Sequence, residues 1–226
     1  MKYEKITKGR FVERPNRFIA KVEIDGSIET VHVKNTGRCR ELLVPGAEVV
    51  LSIADNPNRK TKYDLVSVYK KGLGLVNMDS QAPNQMVKEW LLKGNDPAEP
   101  GKLTEYDIIK PEHKYGNSRF DFYAKAGDRE ILIEVKGCTL EIDGIGYFPD
   151  APTERGTRHV RELIEAKKQG YEAYLAFVIQ MPKVKTVQPN QNTDEAFTRS
   201  IDEAKKAGVK ILYLNCDVKE QEVKII

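Results

Sequence analysis

The sequence predicts a mixed α/β chain of two domains, a five-stranded OB-like β-barrel over residues 1–79 and an α/β domain over residues 80–226. Three observations predict this. Strand-and-turn patterning fills the first third with no helical stretch. Near "DSQAPNQ" the pattern changes to helices alternating with strands. The charge divides at the same place. Residues 1–79 hold 15 Lys/Arg against 10 Asp/Glu, whereas residues 80–226 hold 22 against 24. A basic surplus confined to one third points to an anionic partner there.

The barrel strands are read in order. "GRFVERPNRFIAKVEI" opens with apolar–polar alternation, and Asp25–Gly26 turns it into "SIETVHVKN". The loop "NTGRCRELLVPG" leads to "AEVVLSIA", "KYDLVSVYK" and "GLGLVN". Five short strands in so little chain suit a small closed barrel of the OB type. An SH3-like barrel has a similar strand count, and counting does not separate the two.

In the second domain, "NQMVKEWLLKG" is a helix with Val87, Trp90 and Leu91 on one face and Gly94 at its end. Strands follow around 105–114, 118–126 and 130–137. "DAPTERGTRHVRELIEAKKQG" is a second helix, opened by an Asp150/Thr153 capping segment with a proline and stopped by Gly170. "YEAYLAFVIQM" is nearly all apolar, as a strand buried on both faces should be. A third helix, about 194–207, stops at Gly208 and feeds the last strand, "VKILYLNC".

Bulk properties narrow the function classes. At 226 residues the chain is long enough to bury a sizeable core, and 40% hydrophobic with 31% charged residues is an ordinary soluble composition. No apolar run approaches the roughly 20 residues of a membrane span, and the N-terminus lacks the apolar core of a signal peptide. Cys39, Cys138 and Cys216 form no Cys-x-x-Cys pair and read as free thiols of a cytoplasmic protein. Cys138 reads as packed rather than reactive.

The chemistry concentrates in "SRFDFYAKAGDREILIEVKG". If Gly127–Asp128 is the two-residue loop of a hairpin, Asp121 stands opposite Glu134, with Lys136 two residues on and on the same face. Like charges directly across a strand pair are destabilising. A hard divalent cation such as Mg²⁺ relieves that, with backbone carbonyl and water oxygens completing its shell. In a chain this charged the same spacing also arises among surface residues.

The strand and helix order around this hairpin resembles the core of PD-(D/E)XK nucleases. That resemblance implies that Asp121, Glu134 and Lys136 are the catalytic set, with Mg²⁺ or Mn²⁺ on Asp121 and Glu134. It also implies an acidic residue from the first helix, best matched by Glu89, with Glu105 or Glu112 as substitutes. "FD" stands where the superfamily's name has "PD". A resemblance to one family runs nearly end to end. "GRFVERPNRF", "HVKNTGRCRELLVPG", "NRKTKYDL", "SQAPNQ", "GNSRFDF", "EVKGCTL" and "GYFPDAPTERGTRHVREL" look like the ordered signatures of the sugar fermentation stimulation protein family, SfsA. This implies an N-terminal OB domain, a PD-(D/E)XK nuclease-like C-terminal domain, and DNA, duplex or single-stranded, as partner.

Residues for phosphate contact are expected in the basic third. Arg38 and Arg40 lie on the "NTGRCREL" loop, whose Asn35 and Gly37 shape the turn, and Arg10, Arg14, Arg17, Arg59 and Lys60 lie nearby in sequence. Phe11 and Phe18 read first as core residues and second as platforms for base stacking. On the second helix Arg155, Arg158, His159 and Glu162 share a stripe that the functional reading places beside the metal, with Arg155 or Arg158 gripping a phosphate of the nucleic acid and His159 near it. Gln180, ending the buried strand, is a weaker candidate. The leading expectation is a metal-dependent nuclease. The alternative is a non-catalytic DNA-binding regulator of sugar-metabolism genes on the same scaffold.

Overall fold

The computed structural model describes every residue of the chain except Thr36, Pro57, Pro100 and Asn117. Thr36 of the Asn-Thr-Gly turn and Asn117 of "GNSRFDF" therefore lie outside the described residues. The first domain contains β1 (Ile6–Asn16), β2 (Ile19–Ile24), β3 (Ser27–Val33), β4 (Glu48–Ile53), β5 (Tyr63–Lys70) and β6 (Gly74–Asn77). The sheet runs β3-β2-β1-β4-β5-β6 and closes where β3 pairs with β5 in parallel, His32 with Asp64 and Val33 with Leu65. That Greek-key closure of five strands is an OB barrel, which removes the SH3-like alternative.

The strands differ from the expected ones in two ways. "GRFVERPNRFIAKVEI" is two strands, because Asn16 Oδ1 accepts from the N–H groups of Phe18 and Ile19 at 2.9 and 3.1 Å and folds the chain back. "GLGLVN" is β6, an addition outside the closed barrel. Inside, Ala20, Val22 and Ile24 alternate inward, and Cys39, Leu42 and Leu43 of the β3–β4 loop are buried with them.

The second domain contains α1 (Ala82–Leu92), β7 (Ile108–Tyr115), β8 (Ser118–Ala126), β9 (Arg129–Cys138), β10 (Leu140–Ile142), β11 (Ile145–Phe148), α2 (Glu154–Lys168), β12 (Glu172–Ile179), β13 (Val187–Pro189), α3 (Glu195–Lys206), β14 (Lys210–Val218) and β15 (Val223–Ile225). The main sheet has the order β15-β14-β12-β9-β8-β7. Its central strand β9 serves two faces by simple alternation. Ile131, Ile133 and Val135 pack with Met86, Val87 and Leu91 of α1, whereas Leu132 packs with Val160 and Leu163 of α2 and Phe197 and Ile201 of α3. The second cluster continues into the barrel interior, so the two domains share packed core.

Thr153 caps α2, its hydroxyl accepting from Gly156 N at 3.0 Å. Asp150, expected in that capping segment, instead accepts from the Arg38 N–H of the barrel loop at 2.9 Å. The three cysteines are buried and free, and burial pushes each thiol up to about 12, which makes them poor nucleophiles. Among the described residues no helix is long and apolar enough to cross a membrane.

One ion network ties the sheet to the loop after α1. Arg129 donates from Nη1 and Nη2 to Asp96 at 2.6 and 2.9 Å and from Nε to Glu172 at 2.7 Å. The Asp96 side chain is only 4% exposed, so Arg129→Ala leaves a buried carboxylate uncompensated. We expect a loss of about 3 kcal/mol in urea denaturation, and Arg129→Lys, which keeps charge but not the fork, should lose less.

Candidate active site

The hairpin that carries the acidic residues forms around Gly127, whose φ of +59° suits a tight loop. Pairing runs from Ala126 with Arg129 up to Phe122 with Ile133 and stops there. Asp121 and Glu134 occupy the next rung, beyond the ladder. From this point β8 pairs only with β7 and β9 only with β12, so the two strands fork.

The fork shows in the packing. Phe122 belongs to the cluster on the α1 face and Phe120 to the cluster on the α2 and α3 face, although they are two residues apart. Strand alternation therefore skips one step at Asp121, and across from it Glu112 takes φ +51°. The Val135 N–H, left without a ladder partner, donates to Asp121 Oδ2 at 2.7 Å. A side-chain carboxylate thus replaces a backbone carbonyl at the fork.

Glu134 is buried from the other side. Lys136 Nζ and His159 Nδ1 both meet its Oε1 at 2.5 Å. Arg155 Nε donates to His159 Nε2 at 3.4 Å, which leaves the ring proton on Nδ1, donated to Glu134. Glu134 Oε2 is buried and accepts no hydrogen bond among the described residues. Burial acts to raise the Glu134 carboxyl, but the Lys136 charge and the His159 contact outweigh it and hold it below the usual range. Burial, and after it the Glu134 charge, pushes Asp121 up to about 6. Two acids with oppositely displaced affinities for the proton therefore flank one fork.

The α1 residue that reaches Asp121 is Asn84, whose Nδ2 donates to Oδ1 at 2.7 Å. Glu89, the helix acid expected at the site, is engaged elsewhere. Its Oε2 takes the Met1 ammonium at 2.7 Å and its Oε1 accepts from Gln85 at 2.8 Å. Asp121, Asn84, Lys88, Glu89 and Glu112 line one groove of about 600 Å³, while Glu105 is exposed away from it. Among the described residues no cluster of three or more His, Cys, Asp or Glu is arranged to hold a metal. Asn84 escaped sequence reasoning because an amide carries no charge signal. Its position just inside the helix start was the only cue.

The basic residues separate into two groups. Arg14 donates to the carbonyls of Gly37, Arg38, Arg17 and Asn35 at 2.6–2.9 Å and so braces the barrel loop. Arg59 grips Asp64 through both terminal nitrogens at 2.9 and 2.6 Å. Asn35 accepts from Gly37 N and donates to Met78 O, fixing the turn. Arg10, Arg17, Arg38, Arg40 and Lys60 are exposed, as are Arg155 and Arg158 on α2. Phe11 is core, whereas Phe18 is 47% exposed with the Arg17 guanidinium 5.1 Å from its ring centre.

Comparisons with known proteins agree over nearly the whole chain. A family model described as the SfsA N-terminal OB domain matches residues 12–78, and one described as the sugar fermentation stimulation protein RE domain matches residues 81–222. A sugar fermentation stimulation protein homolog of Desulfitobacterium hafniense is 56% identical over 223 residues, covering 99% of this chain and 94% of that protein. Another, from Clostridium beijerinckii, is 54% identical over 225 residues, covering 100% and 96%. The structure of Pyrococcus furiosus SfsA in complex with Ca²⁺ is similar with a TM-score of 0.84 at 28% identity, covering 100% of this chain and 95% of that one.

Proposed function

The chain belongs to the sugar fermentation stimulation protein family, and from that premise we propose that it is a DNA-binding, divalent-metal-dependent nuclease. The observation that carries the reading is Glu134 Oε2, a buried carboxylate oxygen with no partner among the described residues, at a fork shared with Asp121. A buried anionic oxygen without a donor is costly, and a cation is the natural complement. The donor set suits a hard ion, Mg²⁺ or Mn²⁺, held by Asp121 and Glu134. The Ca²⁺ in the Pyrococcus furiosus relative supports a hard divalent ion without identifying it. Such an ion supplies a water of lowered pKa and neutralises charge on a phosphodiester oxygen.

The chain's own residues do the rest. Val135 N–H and Asn84 fix the Asp121 carboxylate, and His159, oriented by Arg155, fixes Glu134. Lys136, at the same carboxylate, brings a positive charge to where negative charge develops on the phosphate in the transition state. Arg17, Arg38 and Arg40 line one pocket of the barrel surface and suit phosphate contact. The test is incubation of the purified protein with single-stranded and duplex DNA and RNA and Mg²⁺ or Mn²⁺, comparing wild type with Asp121→Ala. Metal-dependent cutting lost in the variant is expected. No cutting across the panel by a well-folded wild type defeats the nuclease reading.

The second reading, a DNA-binding protein without turnover, finds its support in the Lys136–Glu134 pair, which is also how a purely structural ion pair looks. In both readings the exposed arginines carry affinity. Arg38→Ala and Arg40→Ala should each flatten the slope of log K against log salt on duplex DNA by about 0.9. Arg59→Ala should leave that slope unchanged and lower stability instead, because Asp64 loses its fork. Anisotropy titrations at several salt concentrations read the difference.

A further inference from the structure

Just past Lys136, between the barrel loop and the sheet domain, lies a cavity of about 180 Å³ bordered by Gly37, Gly137, Tyr147, Asp150 and Gln180. The pockets of drug-sized ligands run to roughly 300–1,000 Å³, so this one has room for a single small ring system and none for a base pair.

Its polar wall has a fixed sense. Gln180 is 1% exposed. Its Nε2 donates to Asn77 Oδ1 at 2.7 Å and to the Asp79 carbonyl at 3.2 Å. Asn77 in turn donates to Tyr3 and Ser67. With the nitrogen committed, Gln180 Oε1 is the group aimed toward Gly137, where a Cβ would come within 2.5 Å of it. Among the described residues this oxygen accepts nothing. Asp150 also lines the cavity. Its Oδ2 accepts from Arg38 N and presses against Gly37 where a side chain would collide, and among the described residues Oδ1 accepts nothing. Tyr147 supplies an aromatic wall.

Two fixed acceptors beside an aromatic ring require a flat ligand whose edge donates. We infer that this cavity receives one unpaired nucleobase bearing an exocyclic amino group (cytosine, adenine or guanine, as against thymine or uracil) from the strand held at the fork. The inference rests on the nucleic-acid reading above and narrows its substrate class. A carboxylate accepting from the cytosine amino group is a known direct contact. Thymine and uracil present carbonyl oxygens where the amino group would be, facing Gln180 Oε1 and Asp150 with like partial charge. The cavity has no room for a base pair, so the nucleotide enters from single-stranded DNA or after leaving the stack.

The test uses the full chain, Ca²⁺, and fluorescently labelled dC, dA and dT 12-mers, followed by anisotropy. Wild type should bind dC or dA about tenfold more tightly than dT. Asp150→Asn keeps an acceptor for Arg38 N–H but turns a donor toward the cavity, so the preference should collapse or reverse. Tyr147→Leu should weaken dC and dA binding while leaving dT near its wild-type value. Unequal strand flexibility also produces base preferences, but such a preference survives both variants. Equal wild-type affinities, or a preference that survives Asp150→Asn in a protein of unchanged melting temperature, overturns the cavity assignment and leaves DNA binding intact. Failure of every strand and of duplex DNA to bind overturns both.

Discussion

Lys136→Ala is expected to lower metal-dependent cleavage by a factor on the order of 10²–10³ while changing DNA affinity less than about threefold. The side chain is 15% exposed and its charge lies against Glu134 Oε1, so it offers little to a phosphate in the ground state. Its effect grows only as charge accumulates on the reacting phosphate, and interactions realised only there raise kcat. A second consequence distinguishes this from a loss of folding. The Lys136 charge is the largest influence holding Glu134 low, so its removal should shift the acid limb of the pH–rate profile upward. Affinity, turnover and the pH profile measured on one substrate decide the matter. If binding falls severalfold and no turnover exists to lose, Lys136 is a phosphate contact and the binding-protein reading stands.

Local turn chemistry made the centre of the site legible in the sequence. Gly127–Asp128 admits a two-residue loop, and every rung from Ala126–Arg129 to Phe122–Ile133 follows from it. The fork does not follow, because the skip at Asp121 shows only in packing, with Phe120 in the core of one face and Phe122 in that of the other, which no turn signal encodes. Helical spacing brought His159 into consideration, and the structure sets it on Glu134. Counting basic residues was a blunter instrument. Arg14 and Arg59 contribute to the surplus as fully as Arg38, yet both commit their guanidinium groups to partners within the chain. Composition cannot tell a solvated arginine from a braced one. The split at Asn16 was hidden for a related reason, since a single amide side chain, not a glycine, turns the chain. The strands β10, β11 and β13 are three or four residues long and too short to show a period.

Asp121→Asn is expected to weaken divalent-ion binding severely and, in the metal-free protein, to raise stability at neutral pH. Loss of one of two carboxylate ligands should weaken Mg²⁺ or Mn²⁺ by about a hundredfold or more, which calorimetric titration reads directly. The stability effect follows from linkage. Asp121 has a folded value near 6 against an ordinary 3.8, so the folded state binds its proton more tightly than the unfolded state does. The penalty is therefore full above pH 6, shrinks as pH falls through that value, and is gone below about 4. Its size at pH 7 is on the order of 3 kcal/mol. The asparagine removes the penalty but places an amide nitrogen against one of two donors, Val135 N–H or Asn84 Nδ2. Rotation of the Asn84 amide relieves one of these at a cost of about 1 kcal/mol, leaving a net gain of about 1–2 kcal/mol. With chelator present, the melting temperature of Asp121→Asn should exceed wild type at pH 7.5 and fall slightly below it near pH 4, where the penalty is nearly gone and the cost of the amide remains. With saturating metal the order should reverse at pH 7.5, because only the wild type is stabilised by the ligand. A variant less stable than wild type at pH 7.5 in chelator would mean that Asp121 holds the fork together and is not kept there for a cation.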